Sequence, residues 1–271
     1  MLNKIFKKVL KVATGLFIVI ICFYFLWVYP RHTVPILTYH SFDYGQGLLS
    51  VTPENFERQI RYIKDKGFKV ISLDEFTEGI KKGRRFARNG VVITMDDGYE
   101  NNFTYAYPVL KKYNFPATIF LATNYIATSS GFLNWDEVKE MSRHNISFGG
   151  HTKSHVYLPS VTEKDVLWDE IGGCKRIIEE HIGVPVDYFC YPLGGFTEEA
   201  EQLVERAGYK GACVTNRGDD TLNKYDVYGL NRISVRNGNP YFSFFNLFAP
   251  IRFRAKLSGY YNIFRKEKRG Y

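Results

Sequence analysis

Eight short apolar stretches, rich in β-branched and aromatic residues, recur between residues 34 and 235 with helix-like segments between them. They are Val34–His40, Lys69–Ser72, Val91–Asp96, Ala117–Ala122, Ser147–Gly150, Tyr188–Tyr191, Gly211–Thr215 and Arg232–Val235. Strands covered on both faces read as short apolar runs rather than as strict alternation. The intervening helices have recognisable starts. Thr52 before Pro53 is an N-cap followed by a first helical residue, leading into Phe56, Ile60 and Ile63 on one face. Ser72 with Glu75 makes a capping box, and Trp135–Ser142 is a further short helix. Thr162 opens a helix with apolar Val166, Ile171 and Ile178, and Thr197 opens one running through Leu203 and Val204 to Gly208. A β-then-α order repeated this often predicts a parallel sheet covered by helices, open and doubly wound or closed into a barrel. Either way, reactive side chains belong at the C-terminal ends of the strands.

The net charge of +8 is unevenly distributed. Residues 1–31 hold five basic and no acidic residues, and residues 252–271 hold seven basic residues and one acid. Residues 32–251 are left at −3, which argues against nucleic acid and for a membrane as partner. Between Lys11 and Pro30 lie 18 uncharged, mostly apolar residues, Val12 to Tyr29. As a helix they would extend about 27 Å, enough for a bilayer core. The four preceding lysines place the N-terminus inside and the rest outside. Phe25-Leu26-Trp27-Val28-Tyr29-Pro30 follows in place of the small residues of a cleavage site, which favours an uncleaved anchor over a signal peptide. Of four cysteines, Cys22 lies in the apolar run, and Cys174, Cys190 and Cys213 lack C-x-x-C spacing. They read as small buried hydrophobes.

Polar groups stand where strands should end. Asp96 and Asp97 follow Val91–Met95 directly, and carboxylates there are costly to bury without a cation or hydrogen bonds. On a continuing strand the two would point to opposite faces, but Gly98 lets the backbone turn so that both reach one site. His151 and His155 stand four apart after another strand and would share a face if the segment turned helically. His40 ends the first strand, and Tyr191-Pro192-Leu193-Gly194 ends a later one. Each alone has a plain reading: a solvated Asp-Asp-Gly turn, capping histidines, a hydrogen-bonded core histidine, an ordinary turn. Together, two imidazoles and a carboxylate make a three-ligand site with open positions, suited to a catalytic divalent metal, and leave a second carboxylate as base.

Thr94–Tyr99, His151–His155 and Tyr191–Gly194 follow one another in the order of the polysaccharide deacetylase family, the carbohydrate esterase family 4 homology domain. Ile36–His40 and Leu133–Val138 also resemble it, and the likeness runs over roughly residues 34–236. The resemblance implies a distorted (β/α)7 barrel of parallel strands, here preceded by one N-terminal transmembrane helix. It implies Asp97, His151 and His155 as ligands of a divalent metal (Zn, with Co and Mn as alternatives), Asp96 as general base, and the Tyr191 backbone N–H as an oxyanion donor. Two departures stand out. Cys190 occupies the position where many members have a base-orienting arginine. Leu230-Asn231-Arg232 lacks the late histidine acid, a role that members opening on a Tyr-His strand assign to the early histidine, here His40. Both features are nearer the branch acting on exported poly-N-acetylglucosamine.

The expected activity is metal-dependent hydrolysis of the N-acetyl group of N-acetylhexosamine units in an extracytoplasmic polysaccharide. Tyr99, Trp135, Pro192 and Leu193 are the expected substrate contacts, and Phe132, Tyr157 and Tyr191 are further aromatic candidates for stacking on sugar rings. Residues 1–31 are read as basic end and anchor, 32–240 as the deacetylase domain, and 241–271 as an aromatic, basic tail. No nucleic acid and no obligate protein partner are expected. The alternative is a catalytically inactive carbohydrate-binding or scaffold protein of the same fold. A non-haem iron oxygenase shares the ligand set but not the βα alternation.

Overall fold

All eight expected strands form, and every ladder between them is parallel. The computed structural model describes residues 2–23, 34–45, 47, 49–82, 86, 89–215 and 227–235. In chain order these include α1 (Leu2–Phe23), β1 (Ile36–Tyr39), α2 (Pro53–Asp65), β2 (Lys69–Val70), α3 (Leu73–Lys81), β3 (Gly90–Met95), α4 (Tyr107–Tyr113), β4 (Ala117–Leu121) and α5 (Trp135–Ser142). They continue with β5 (Ile146–Gly150), α6 (Lys164–Trp168), α7 (Cys174–Ile182), β6 (Tyr188–Cys190), α8 (Glu198–Arg206), β7 (Gly211–Thr215) and β8 (Leu230–Ser234).

β1 pairs with both β3 and β8, closing the order β1-β3-β4-β5-β6-β7-β8 into a seven-stranded ring. β2 is a two-residue strand paired to the start of β3 and stands outside that ring. The open doubly wound alternative is therefore excluded. Alternation along each strand sorts its residues between two cores. Val91, Ile93 and Met95 face the helices, meeting Phe56, Ile60, Ile63 and Leu110. Ile36, Val92, Phe120, Tyr188, Cys190, Cys213 and Leu230 form the inward set. Leu73 and Phe76 of α3 join this inward set, and Thr77 Oγ1 lies 2.6 Å from Tyr188 OH, so α3 plugs the end where the strands begin.

Local chemistry accounts for the helix ends. Thr52 caps α2 through the Asn55 N–H, Ser72 caps α3 through the Glu75 N–H, and Thr197 caps α8 through the Ala200 N–H. Asn134 and Glu137 complete a capping box on α5. The helix expected from Thr162 starts later, with Glu163 as its N-cap. A π-helical turn at Asp169–Gly173 then inserts a residue. This shifts the apolar phase, so Val166 is exposed while Leu167, Ile171 and Ile178 are buried. A second π-helical stretch, Asn102–Ala106, leads into α4.

The chain divides into a unit of residues 1–32 and one of residues 33–271. In the first, α1 exposes large apolar residues such as Phe6, Val9, Phe17 and Val19. Among the described residues no helix is long and apolar enough to cross a membrane. The expected spanning helix over 12–29 is thus not found there: α1 carries its lysines on the same helix, and residues 24–29 lie outside the described part. The tail 241–271 also lies outside it.

Candidate active site

The polar residues gather at the C-terminal mouth of the barrel, where His40, Asp96, His151 and Tyr191 each immediately follow a strand. The strand period aims Asp96 inward with Val92 and Thr94. The turn that redirects the next side chain begins at Asp97 itself, with φ 72°, and continues through Gly98 at φ 80°. The expected turn at Gly98 is therefore made one residue early. A Cβ on Gly98 would also stand 2.7 Å from Leu121 Cδ2. His151–His155 is not helical, so the pair is not brought together by a helix face; Thr152 and His155 are left-handed at φ 62° and 57°. The two rings meet edge to face at 4.9 Å. Of seven non-glycine residues with positive φ among the described residues, Asp97, Thr152, His155 and Leu193 lie in these motifs, so backbone strain is concentrated at the site.

Asp97 Oδ1 lies 3.4 Å from His151 Nε2 and 3.2 Å from His155 Nε2. It is buried, and no donor is aligned well enough to hydrogen-bond it. Burial raises the Asp97 carboxyl, but the contacts with His151 and His155 outweigh it and hold the group well below the usual carboxylate range. His155 in turn is raised by its contact with Asp97. His151 Nδ1 sits 2.7 Å from the Cys190 carbonyl, which can only accept, so this nitrogen carries a proton and Nε2 is the one turned to Asp97. One carboxylate oxygen and two imidazole nitrogens within 4.8 Å of one another form a donor set that fits a divalent cation.

Asp96 has different company. Arg232 Nη1 and Nη2 donate to its Oδ1 and Oδ2, each at 2.6 Å. The same guanidinium donates to Thr94 Oγ1 at 3.1 Å, Val214 O at 3.2 Å and Cys190 Sγ at 3.0 Å, and lies over the Phe120 ring at 5.5 Å. Asp96, His151 and Cys190 also converge closely enough to suggest a metal, but Arg232 already supplies the cation there. Burial raises the Asp96 carboxyl and Arg232 more than offsets this, so the net shift is downward. His40 Nε2 is 3.6 Å from Asp96 Oδ2, and burial lowers the His40 pKa against the pull of Asp96 and Asp97.

Residues 83–212 match the family model described as polysaccharide deacetylase. YxkH of Bacillus subtilis, named for the same family, is 31% identical over 205 residues, covering 76% of this chain and 72% of YxkH.

The chain belongs to the polysaccharide deacetylase family.

The poly-β-1,6-N-acetyl-D-glucosamine N-deacetylase of Staphylococcus aureus is 28% identical over 197 residues, covering 66% of each chain. The deacetylase PplD of Streptococcus pyogenes, solved with acetate, superposes with a TM-score of 0.68 at 28% identity, over 75% of this chain and 92% of PplD. Against the family pattern, the arginine missing at Cys190 is replaced in space by Arg232 of β8, which reaches Asp96 past the intervening strand β1.

Two expectations fail on the structure. The Tyr191 N–H donates to Cys213 O at 3.1 Å, so it belongs to the barrel ladder rather than to an oxyanion hole. The Tyr191 ring is fully buried and stacked on Phe196 at 4.2 Å, which leaves no face for a sugar. Pro192 is likewise buried, whereas Leu193 beside it is 46% exposed. Tyr99 does reach the site: burial and the Asp97 charge push its hydroxyl up to about 12, and its ring stacks on Phe132. Trp135 instead stacks on His181 at 3.8 Å and lines a separate 510 Å³ hollow with Phe103, Asn134 and Glu140. None of the polar site residues lines that hollow.

Proposed function

We propose that the chain hydrolyses the N-acetyl group of N-acetylhexosamine units in an extracytoplasmic polysaccharide, using a divalent metal held by Asp97, His151 and His155. The convergence of these three donors beside a separately anchored carboxylate, Asp96, is the observation that carries this reading. A cation bound there supplies Lewis acidity, polarising the acetyl carbonyl and acidifying a water. Asp96 takes the proton of the attacking water on Oδ2, the oxygen facing His40. His40, kept neutral at rest by burial, receives that proton at Nε2 and delivers it to the amide nitrogen as the C–N bond breaks. Acetate and a sugar amine leave. The ionic grip of Arg232 keeps Asp96 charged until it takes that proton, and holds it in one rotamer.

The similarity to the staphylococcal enzyme makes poly-N-acetylglucosamine the first polymer to test. Zn²⁺ is the first metal, with Co²⁺ and Mn²⁺ as alternatives. Attachment to a membrane through residues 1–31, with the barrel outside, is supported by the four lysines and the apolar run that follows them. The decisive assay measures acetate released by the full chain from N-acetylglucosamine oligomers, with Zn²⁺ and with chelator. Zn²⁺-dependent acetate is the expected result; bound Zn²⁺ without acetate from any N-acetylated polymer would favour the inactive scaffold.

A further inference from the structure

The loop from His151 to His155 makes no helix, so its backbone groups need partners from elsewhere. One side is supplied by the chain leaving β4. The His151 N–H donates to Leu121 O at 2.9 Å, the Thr123 N–H to Thr152 O at 3.3 Å, and the Asn124 N–H to Lys153 O at 2.8 Å. Tyr125 OH donates to Ser154 O at 3.3 Å. The other side is supplied by a single carboxylate. Glu170 Oε2 accepts the Lys153 N–H at 2.8 Å and the Ser154 N–H at 2.9 Å, while Oε1 accepts Ser154 Oγ at 2.6 Å.

Glu170 is itself fixed from beneath. It stands in the π-helical turn Asp169–Gly173, next to Ile171, which is fully buried and whose carbonyl accepts Tyr209 OH at 3.1 Å. Asp169 on the same turn binds Lys153 Nζ at 2.6 Å. A Cβ on Gly173 would fall 2.5 Å from Asp169 Oδ1 and 3.2 Å from Lys153 Cδ, so turn and loop approach closely there. Thr152 and His155 hold left-handed conformations that an untethered loop would relax.

We infer that Glu170 is a positioning residue, whose carboxylate holds the loop in the shape that aims both imidazoles at Asp97 and thereby sets the affinity for the metal. The inference rests on the proposed metal role of Asp97, His151 and His155. The test is Zn²⁺ affinity of the full chain, stripped with chelator and titrated against a chromophoric competitor, alongside the melting temperature of the metal-free protein. Glu170→Ala is expected to weaken Zn²⁺ about 10–100-fold, and Glu170→Asp, one methylene short, about 10-fold. Glu170→Gln should return affinity to within about 3-fold, because the amide oxygen can accept both N–H groups and its NH₂ can donate to Ser154 Oγ. Ser154→Ala, which keeps both backbone bonds, should lose about 3-fold. If Glu170→Ala does not fold, Glu170→Asp and Ser154→Ala carry the test. Aspartate or alanine variants within about 2-fold of wild type overturn the inference, even if they melt lower. Wild type that binds no Zn²⁺ overturns the proposed function and this inference together.

Discussion

Asp96 and Asp97 are consecutive in the chain and both nearly buried, yet they are stabilised in different ways. Asp96 meets a permanent cation, with both oxygens taken by Arg232. Asp97 meets two imidazoles, one of which has its other nitrogen committed to a carbonyl. The first carboxylate is electrically complete within the protein; the second faces only two imidazole nitrogens. A buried carboxylate without full compensation is costly, and a divalent ion restores the balance. One adjacent pair thereby provides a fixed base and a metal ligand, separated by the left-handed turn at Asp97.

The strongest way to break this contrast is to remove the uncompensated partner. Asp97→Ala should lose bound Zn²⁺ and lower acetate release by at least about 10³-fold, read by metal content and assay on one sample. Retained metal with normal turnover would mean that the imidazoles bind without the carboxylate. Asp96→Asn should do the reverse, keeping Zn²⁺ while turnover falls about 10²–10⁴-fold. A near-normal rate would remove Asp96 from the base role and transfer it to His40.

Removing the permanent cation tests the other half. Arg232→Met leaves Asp96 buried against an apolar side chain, and breaking such a pair costs about 3–5 kcal/mol, read by denaturant unfolding. The sign of the pH effect follows from the folded-state shift. Asp96 is held below its usual value, so its contribution to stability is present above pH ~4 and is lost as pH falls through the depressed folded value. Without Arg232, burial is opposed only by His40 and His151, and the carboxyl should rise. The acid limb of kcat/KM should therefore move to higher pH in the variant. An unmoved limb would show that Arg232 positions Asp96 without setting its charge.

Much of this arrangement could be read from the residues because it sits where strand period and motif coincide. Apolar runs placed the strands, and Asp96, Asp97, His40, His151 and His155 were found as polar residues at their ends. Arg232 was missed because it lies within a strand rather than after one. The signal was present: a buried Asp96 demands a cation, and an arginine two residues after Leu230 shares its inward face. The π-helical turn at Asp169–Gly173 was also missed, since one inserted residue leaves too faint a trace in a short helix to be separated from irregular phase. Tyr191 was misassigned because motif position does not reveal which backbone N–H groups the barrel ladder already uses.

The smallest expected effect sharpens the comparison furthest, because it asks whether Asp96 is tuned by Arg232 alone. Cys190 Sγ accepts from Arg232 Nη2 at 3.0 Å and lies 3.8 Å from Asp96 Oδ2, so it shares the guanidinium with the carboxylate. Burial pushes the Cys190 thiol well above its ordinary value even though Arg232 pulls it down, which keeps it neutral at neutral pH. A neutral thiol lends Arg232 an acceptor without taking its charge. Cys190→Ala should then cost about 1 kcal/mol for the lost weak hydrogen bond and leave the acid limb of kcat/KM in place. Unfolding and pH profiles measured beside Arg232→Met decide it. A limb that shifts upward as far as in Arg232→Met would mean that Cys190 shapes the Asp96 environment as strongly as the arginine does. A limb that moves down in pH would mean that the sulfur carries negative charge and weakens the hold of Arg232 on the base.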